Sequence, residues 1–145
     1  MTWQAERDTM TEPSDQQLID AAIAASQHAY MPYSNYRVGA ALLTADGQVY
    51  GGCNIESVSF TPTVCAERAA VFKAVSEGER AFSAIAVVTR DAGSPCGVCR
   101  QMMYEFAPDL RVILADLNGN VHLVTTLREL LPHGFGPMHL DESES

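Results

Sequence analysis

The chain has 145 residues, of which 47% are apolar and 19% charged, the profile of one globular domain rather than of a disordered or fibrous chain. No apolar run approaches a membrane span. The formal net charge is −9 and the nine Lys and Arg residues are scattered, which argues against a polynucleotide ligand.

Met1–Ser14 is polar, carries Glu6 and Asp8 and lacks an apolar core, so no signal peptide is expected and the protein is expected in the cytoplasm. Residues 1–13 read as a flexible tail. Ser14 can cap a helix from Asp15 to about Tyr30, with Leu18, Ile19, Ala22, Ile23 and Ala25 as its apolar stripe. Met31-Pro32 should end it, because a residue before proline avoids the helical region. Val38–Thr44 and Gln48–Gly52 are apolar runs joined by Asp46-Gly47, a hairpin signal. After a polar loop from Cys53, Thr63 can cap a helix from Val64 to Glu77, closed by Gly78. Ala84–Thr89 reads as a strand and Asp91-Ala92-Gly93 as a loop. Ser94-Pro95 supplies a cap and a first-turn proline for a helix from Cys96 to Phe106. Arg111–Ala115 and Val121–Val124 read as strands around an Asn118-Gly119 turn. Thr126 caps a short helix, Leu127–Leu131, and a loop-like tail ends acidic over 141–145. The order αββαβαββα predicts a layered α/β domain with one mixed sheet.

Four cysteines in a cytoplasmic chain read as metal or redox chemistry before disulfides. Cys96 and Cys99 form a Cys-x-x-Cys pair at a helix start, a spacing that puts both sulfurs on one face. Alone, the pair fits a redox dithiol, half of a structural zinc site or a catalytic metal. Cys65, at the start of another helix, adds a third thiol, and helix N-termini favour thiolates. Three thiolates on Zn²⁺ leave a net negative charge, and Arg68 is the expected donor to the sulfurs, with Arg100 as a second candidate. Cys53 reads as a small buried apolar residue. If it instead closed a four-thiolate site, the zinc would be structural and the chain a binding domain. Glu67 points to hydrolysis, since a carboxylate beside the metal can move the protons of an activated water.

Cys-Ala-Glu-Arg at 65–68 with Pro-Cys-Gly-Val-Cys-Arg-Gln at 95–101 resembles the small homotetrameric cytidine deaminases. Segments 32–41 (Pro-Tyr-Ser-Asn-Tyr-Arg-Val-Gly-Ala-Ala), 52–56 and 130–137 carry the resemblance over most of residues 15–140. It implies a three-layer α/β/α domain over 14–140, with five strands in a mixed sheet and the last two as an antiparallel hairpin. It also implies one Zn²⁺ per subunit on Cys65, Cys96 and Cys99, with hydrolysis at C4 of cytidine or 2′-deoxycytidine and release of ammonia. Glu67 would then protonate N3 and the departing ammonia, and the Ala66 N–H would face the base carbonyl. Asn54 and Glu56 would hold the ribose 3′-hydroxyl, and Tyr36 would lie beside sugar and base. Phe135 would reach a neighbouring subunit's site, within a homotetramer serving pyrimidine salvage. Asn54 and Glu56, two apart on an extended segment, also point the same way on geometry alone.

The sequence departs from the family at Tyr36, where phenylalanine is usual, so the hydroxyl needs a partner. It departs again at Ser57–Pro62, a loop that normally helps shape a neighbouring site. The Thr63–Glu67 and Ala107–Asp109 stretches also resemble blasticidin-S deaminase, which makes an antibiotic cytosine nucleoside the second candidate substrate. A nucleic-acid substrate is not expected, because the Asn118-Gly119 turn makes the last strand pair antiparallel.

Overall fold

The computed structural model describes residues 12–140; most of the expected N-terminal tail and the acidic stretch 141–145 lie outside them. Helix α1 is Asp15–Ser26, strand β1 Gly39–Thr44, β2 Val49–Cys53, helix α2 Ala66–Ser76, β3 Phe82–Thr89, α3 Gly97–Phe106, β4 Arg111–Asp116, β5 Val121–Thr126 and α4 Leu127–Leu130. A short 3₁₀ turn, Pro137–Leu140, follows in a segment expected to be loop. The five strands form one sheet in the order β2-β1-β3-β4-β5. Only β3 and β4 run parallel, connected through α3, and β4–β5 is the expected antiparallel hairpin.

The three layers follow from alternation along the central strands. Ala40, Leu42, Ile85, Val87, Val112 and Leu114 face α2 and α3, where Ala66, Ala70, Val71, Ala74 and Met103 meet them. Their neighbours Ala41, Leu43, Ala84, Ala86, Val88, Ile113 and Ala115 face α1 through Leu18, Ile19 and Ala22. Both faces of the central strands are therefore dry, and a one-residue slip in any of them would exchange its two buried sets.

The helix termini correct the expectations in ways that matter for the site. Ser14 does cap α1, in a reciprocal box with Gln17. The helix stops at Ser26 rather than near Tyr30, because Tyr30 leaves it to bond Asn54 and Glu56 through its backbone. Helix α2 begins at Ala66, with Cys65 rather than Thr63 at the capping position. Val64 is held in an antiparallel bridge with Ile55, and the Thr63 hydroxyl accepts the Ser57 N–H, so neither is free to start the helix. Helix α3 likewise begins at Gly97, with Cys96 at the cap; Pro95 precedes the cap, and the Ser94 hydroxyl accepts from Arg100 instead.

Candidate zinc and substrate site

Both capping cysteines are extended, Cys65 at φ −73, ψ 158 and Cys96 at φ −69, ψ 166. Neither side chain caps its own helix, which leaves both sulfurs available at the helix heads. Cys99 is fully buried in the first turn of α3. Gly52 lets the head of α2 pack directly on β2: a β-carbon there would lie 2.5 Å from the Ala66 carbonyl oxygen.

The three sulfurs lie within 4.8 Å of one another. Cys65 Sγ is 3.7 Å from Cys96 Sγ, which is 3.5 Å from Cys99 Sγ. Tetrahedral zinc with ~2.3 Å bonds to sulfur requires separations of about 3.8 Å, so the donor set fits that ion. Cys53 is not part of the cluster; it ends β2 beside Pro62 and Val64. A four-thiolate structural site is thereby not formed among the described residues.

Electrostatics suit the same ion. Arg68 Nε donates to Cys99 Sγ at 3.4 Å and Arg68 Nη2 to Cys65 Sγ at 3.5 Å. Burial opposes the Arg68 charge, yet its bonds to the two sulfurs raise its pKa above the ordinary value. Cys65 is pulled down to about 5, first by its hydrogen bond with Cys99 and then, against burial, by Arg68. Cys99 moves up, because its proton is held against the Cys65 sulfur and because it is buried. The pair thus shares one proton that a cation would displace. Arg100, the second candidate donor, is instead spent on the Pro95 and Leu130 carbonyls and the Ser94 hydroxyl.

Glu67 follows Cys65 by two residues and is 4% exposed. Its Oε1 is buried without a hydrogen-bond partner among the described residues, a costly state for a polar atom unless a ligand completes it. Burial, reinforced by the Cys65 charge, raises its pKa to about 7.

A cavity of about 250 Å³ joins Glu67, Cys65 and Cys96 to Tyr36, Asn54 and Glu56, with Ser34, Thr63, Gly93 and Ser94 on its walls. Asn54 and Glu56 lie on an extended segment clamped between Tyr30 and Val64. Asn54 spans residues 36–38: its Oδ1 accepts the Val38 N–H at 3.1 Å and its Nδ2 donates to the Tyr36 carbonyl at 2.7 Å. Glu56 Oε1 accepts the Tyr33 and Ser34 N–H groups at 3.0 and 3.1 Å, while Oε2 accepts the Ser34 hydroxyl. These bonds, the Ser34 hydroxyl first, hold the Glu56 carboxyl below its usual pKa. The Tyr36 hydroxyl finds its partner in Asp91 Oδ1 at 2.6 Å. Ala66 is the first residue of α2, so its N–H belongs to the helix-end donors that lack an intrahelical partner.

Phe135 lies outside the cavity walls of its own chain: its ring, 55% exposed, stacks on His139 at 5.1 Å. The Ser57–Pro62 loop presents Phe60 at φ +63, edge-on to Tyr33 at 6.1 Å. Sequence reasoning missed Ser34, Thr89, Asp91, Gly93 and Ser94. The one signal available for Asp91 was the unplaced Tyr36 hydroxyl, and nothing local to either residue pairs them.

Three cysteine sulfurs and a buried carboxylate at the heads of two helices, opening on a polar cavity, define a zinc hydrolase site on an α/β sheet. Residues 12–115 match the cytidine and deoxycytidylate deaminase zinc-binding region, and the chain belongs to that family. It is 52% identical over 123 residues, 83% of this chain and 92% of the other, to the cytidine deaminase of Halalkalibacterium halodurans. The crystal structure of cytidine deaminase from Burkholderia pseudomallei superposes with a TM-score of 0.81 at 48% identity, covering 85% of this chain and all of that one. The blasticidin-S deaminase of Bacillus cereus is more distant, 33% identical over 129 residues, 81% of this chain and 91% of the other. No helix among the described residues is long and apolar enough to cross a membrane.

Proposed function

We propose that this enzyme hydrolyses free cytidine and 2′-deoxycytidine to uridine and 2′-deoxyuridine with release of ammonia. The observation that carries this reading is Glu67: a buried carboxylate with an unpartnered oxygen, in one cavity with two of the three sulfurs and the Asn54–Glu56 segment. Zinc held by Cys65, Cys96 and Cys99 supplies, when bound, a Lewis acid that makes water nucleophilic at neutral pH. Glu67, poised near pH 7, is suited to take a proton, place it on N3 of the pyrimidine and deliver one to the leaving ammonia. The Ala66 N–H, at the positive end of α2, is suited to the base carbonyl O2.

Asn54 and Glu56 hold the ribose 3′-hydroxyl in this reading. A carboxylate has about four acceptor directions, and Glu56 uses three on Tyr33 and Ser34, which leaves one for a sugar. Both groups are pre-oriented by these bonds. Nothing in the grip reads the 2′ position, so both sugars are accepted.

The working form is a homotetramer in the cytoplasm, serving pyrimidine salvage, with each site completed by its neighbours. Phe72, Val98 and Phe135 support it as large apolar side chains left 43%, 61% and 55% exposed by the single chain. The cavity, at about 250 Å³, falls short of the ~300–1,000 Å³ usual for small-molecule sites. A Phe135 ring from another copy would add the missing aromatic wall.

Loss of the cytidine ultraviolet band on mixing with purified protein tests the reading. We expect turnover of both nucleosides, and its near-complete loss in Glu67→Gln with one zinc per chain retained. Failure to turn over either nucleoside sinks the proposal.

One observation favours a second reading, a cytosine nucleoside with a bulky substituent such as blasticidin S. A second hollow of about 320 Å³, walled by Tyr33 and Phe60, shares Ser34, Glu56 and Thr63 with the main cavity. Faster deamination of blasticidin S than of cytidine under one set of conditions would move the assignment there.

A further inference from the structure

Tyr36 is tied down at both ends. Its backbone belongs to the sugar side of the cavity: the N–H donates to the Ser34 hydroxyl at 3.0 Å, and the carbonyl accepts from Asn54 at 2.7 Å. Its phenol belongs to the opposite wall, through the 2.6 Å bond to Asp91. Asp91 is itself held by Thr89, a residue 3% exposed at the end of β3, whose hydroxyl donates to the same oxygen at 3.1 Å. That hydroxyl also accepts the Gly93 N–H at 2.7 Å, closing the turn after β3. The Arg90 guanidinium covers the Tyr36 ring at 4.8 Å from its centroid.

The turn is built around this contact. A β-carbon on Gly93 would stand 2.6 Å from the Tyr36 hydroxyl, closer than any side chain tolerates, while Ala92 is held at φ +56. Three residues beyond Gly93 comes Cys96. The bond therefore joins the segment that carries the sugar-side residues to the connection that carries Ser94 and a zinc ligand, across a cavity lined by Tyr36 and Gly93 alike.

We infer that Asp91 is a positioning residue for the nucleoside. Through the Tyr36 hydroxyl it fixes the ring in the sugar half of the cavity and holds the two walls at nucleoside width. The inference rests on the deaminase reading and extends it to a residue outside the cavity lining. Asp91 meets neither the sulfurs nor Glu67, so its removal is felt in substrate capture rather than in the chemical step. A loosened ring must be ordered again each time a nucleoside binds.

The test is a kinetic cycle on the zinc-loaded protein, with zinc content measured for every variant. Asp91→Ala raises KM for cytidine about three- to tenfold, the worth of one hydrogen bond, and leaves kcat within about twofold. Asp91→Asn keeps an acceptor oxygen for the phenol and restores most of the wild-type KM. In the Tyr36→Phe background, where the bond is already gone, Asp91→Ala has no further effect. Absence of turnover by the wild-type protein would sink the deaminase reading and this inference with it. Wild-type turnover combined with an unmoved KM in Asp91→Ala would overturn the inference alone. So would an equal effect of Asp91→Ala with and without the Tyr36 hydroxyl, or a loss of zinc or kcat in Asp91→Ala.

Discussion

The zinc pole and the substrate rim are built on different principles. At the pole, every functional group sits in the first turn of a helix or immediately before it, and those helices are packed on a dry sheet. At the rim, the groups proposed to hold the nucleoside and their supports sit on loops, within 31–38, 54–63 and 91–95, held by side-chain to backbone hydrogen bonds. Core packing makes the pole rigid, while the rim is only as stiff as its polar network. Chemistry that tolerates little displacement is therefore placed on helices, and recognition that must admit and release a nucleoside is placed on loops.

The comparison breaks first if the pole tolerates change. Cys99→Ser removes a fully buried ligand, and we expect zinc to fall from one per chain to near zero and turnover to fall at least about a thousandfold, the loss of the metal's contribution. Metal analysis of the purified variant decides it. Arg68→Gln leaves the three thiolates but removes both N–H donors to sulfur, and zinc affinity should drop about 10- to 100-fold in a chelator competition. An unchanged affinity would mean that the thiolates alone define the site.

The pole also predicts a pH dependence. The Glu67 pKa is raised from 4.5 to about 7 in the folded chain. Its contribution to stability is thus complete below about pH 4.5 and is lost as pH rises through 7, because the folded state must then carry a buried charge. In zinc-free protein, Glu67→Gln should match the wild type at pH 4. It should exceed the wild type by up to ~3 kcal/mol at pH 8, the free-energy equivalent of that displacement. Urea midpoints in the presence of chelator measure the difference. A constant difference across that range would contradict a buried, titrating Glu67.

The two regions also differ in how far the sequence reveals them. The zinc pole was legible because Cys-Ala-Glu-Arg and Cys-x-x-Cys are local patterns whose chemistry follows from spacing. The two hairpins were legible from Asp46-Gly47 and Asn118-Gly119 and the mixed sheet from the order of apolar runs, whereas the strand order β2-β1-β3-β4-β5 emerges only in the assembled sheet. The caps of the two ligand-bearing helices were misread by two residues because Val64 is claimed by Ile55 of the preceding loop and the Ser94 hydroxyl by Arg100 of the helix itself, pairings that capping preference alone does not show. Of the Tyr36–Asp91 bond only the need of the Tyr36 hydroxyl for a partner was legible, since it joins residues 55 apart through a loop that reads only as a turn. Networks of this kind are fixed by the assembled fold, and the rim consists of little else.

The smallest effect is expected at the outermost rim, and it measures how separate the two regions are. Phe60 is 69% exposed and sits at φ +63, where a bulky side chain costs about 1–2 kcal/mol. Phe60→Gly relieves that strain, but it forfeits the edge contact with Tyr33, worth about 0.5–1.5 kcal/mol, and adds freedom to the unfolded chain worth roughly another 0.5–1 kcal/mol. The opposing effects nearly cancel, so the urea midpoint should correspond to a stability within ~1 kcal/mol of wild type, with zinc content unchanged. KM for a bulky nucleoside should move more than KM for cytidine, because Phe60 walls the outer hollow and not the inner cavity. A stability loss well above ~2 kcal/mol would mean that this loop is mechanically continuous with the core, and the division between a rigid pole and an adaptable rim would then fail at its most exposed point.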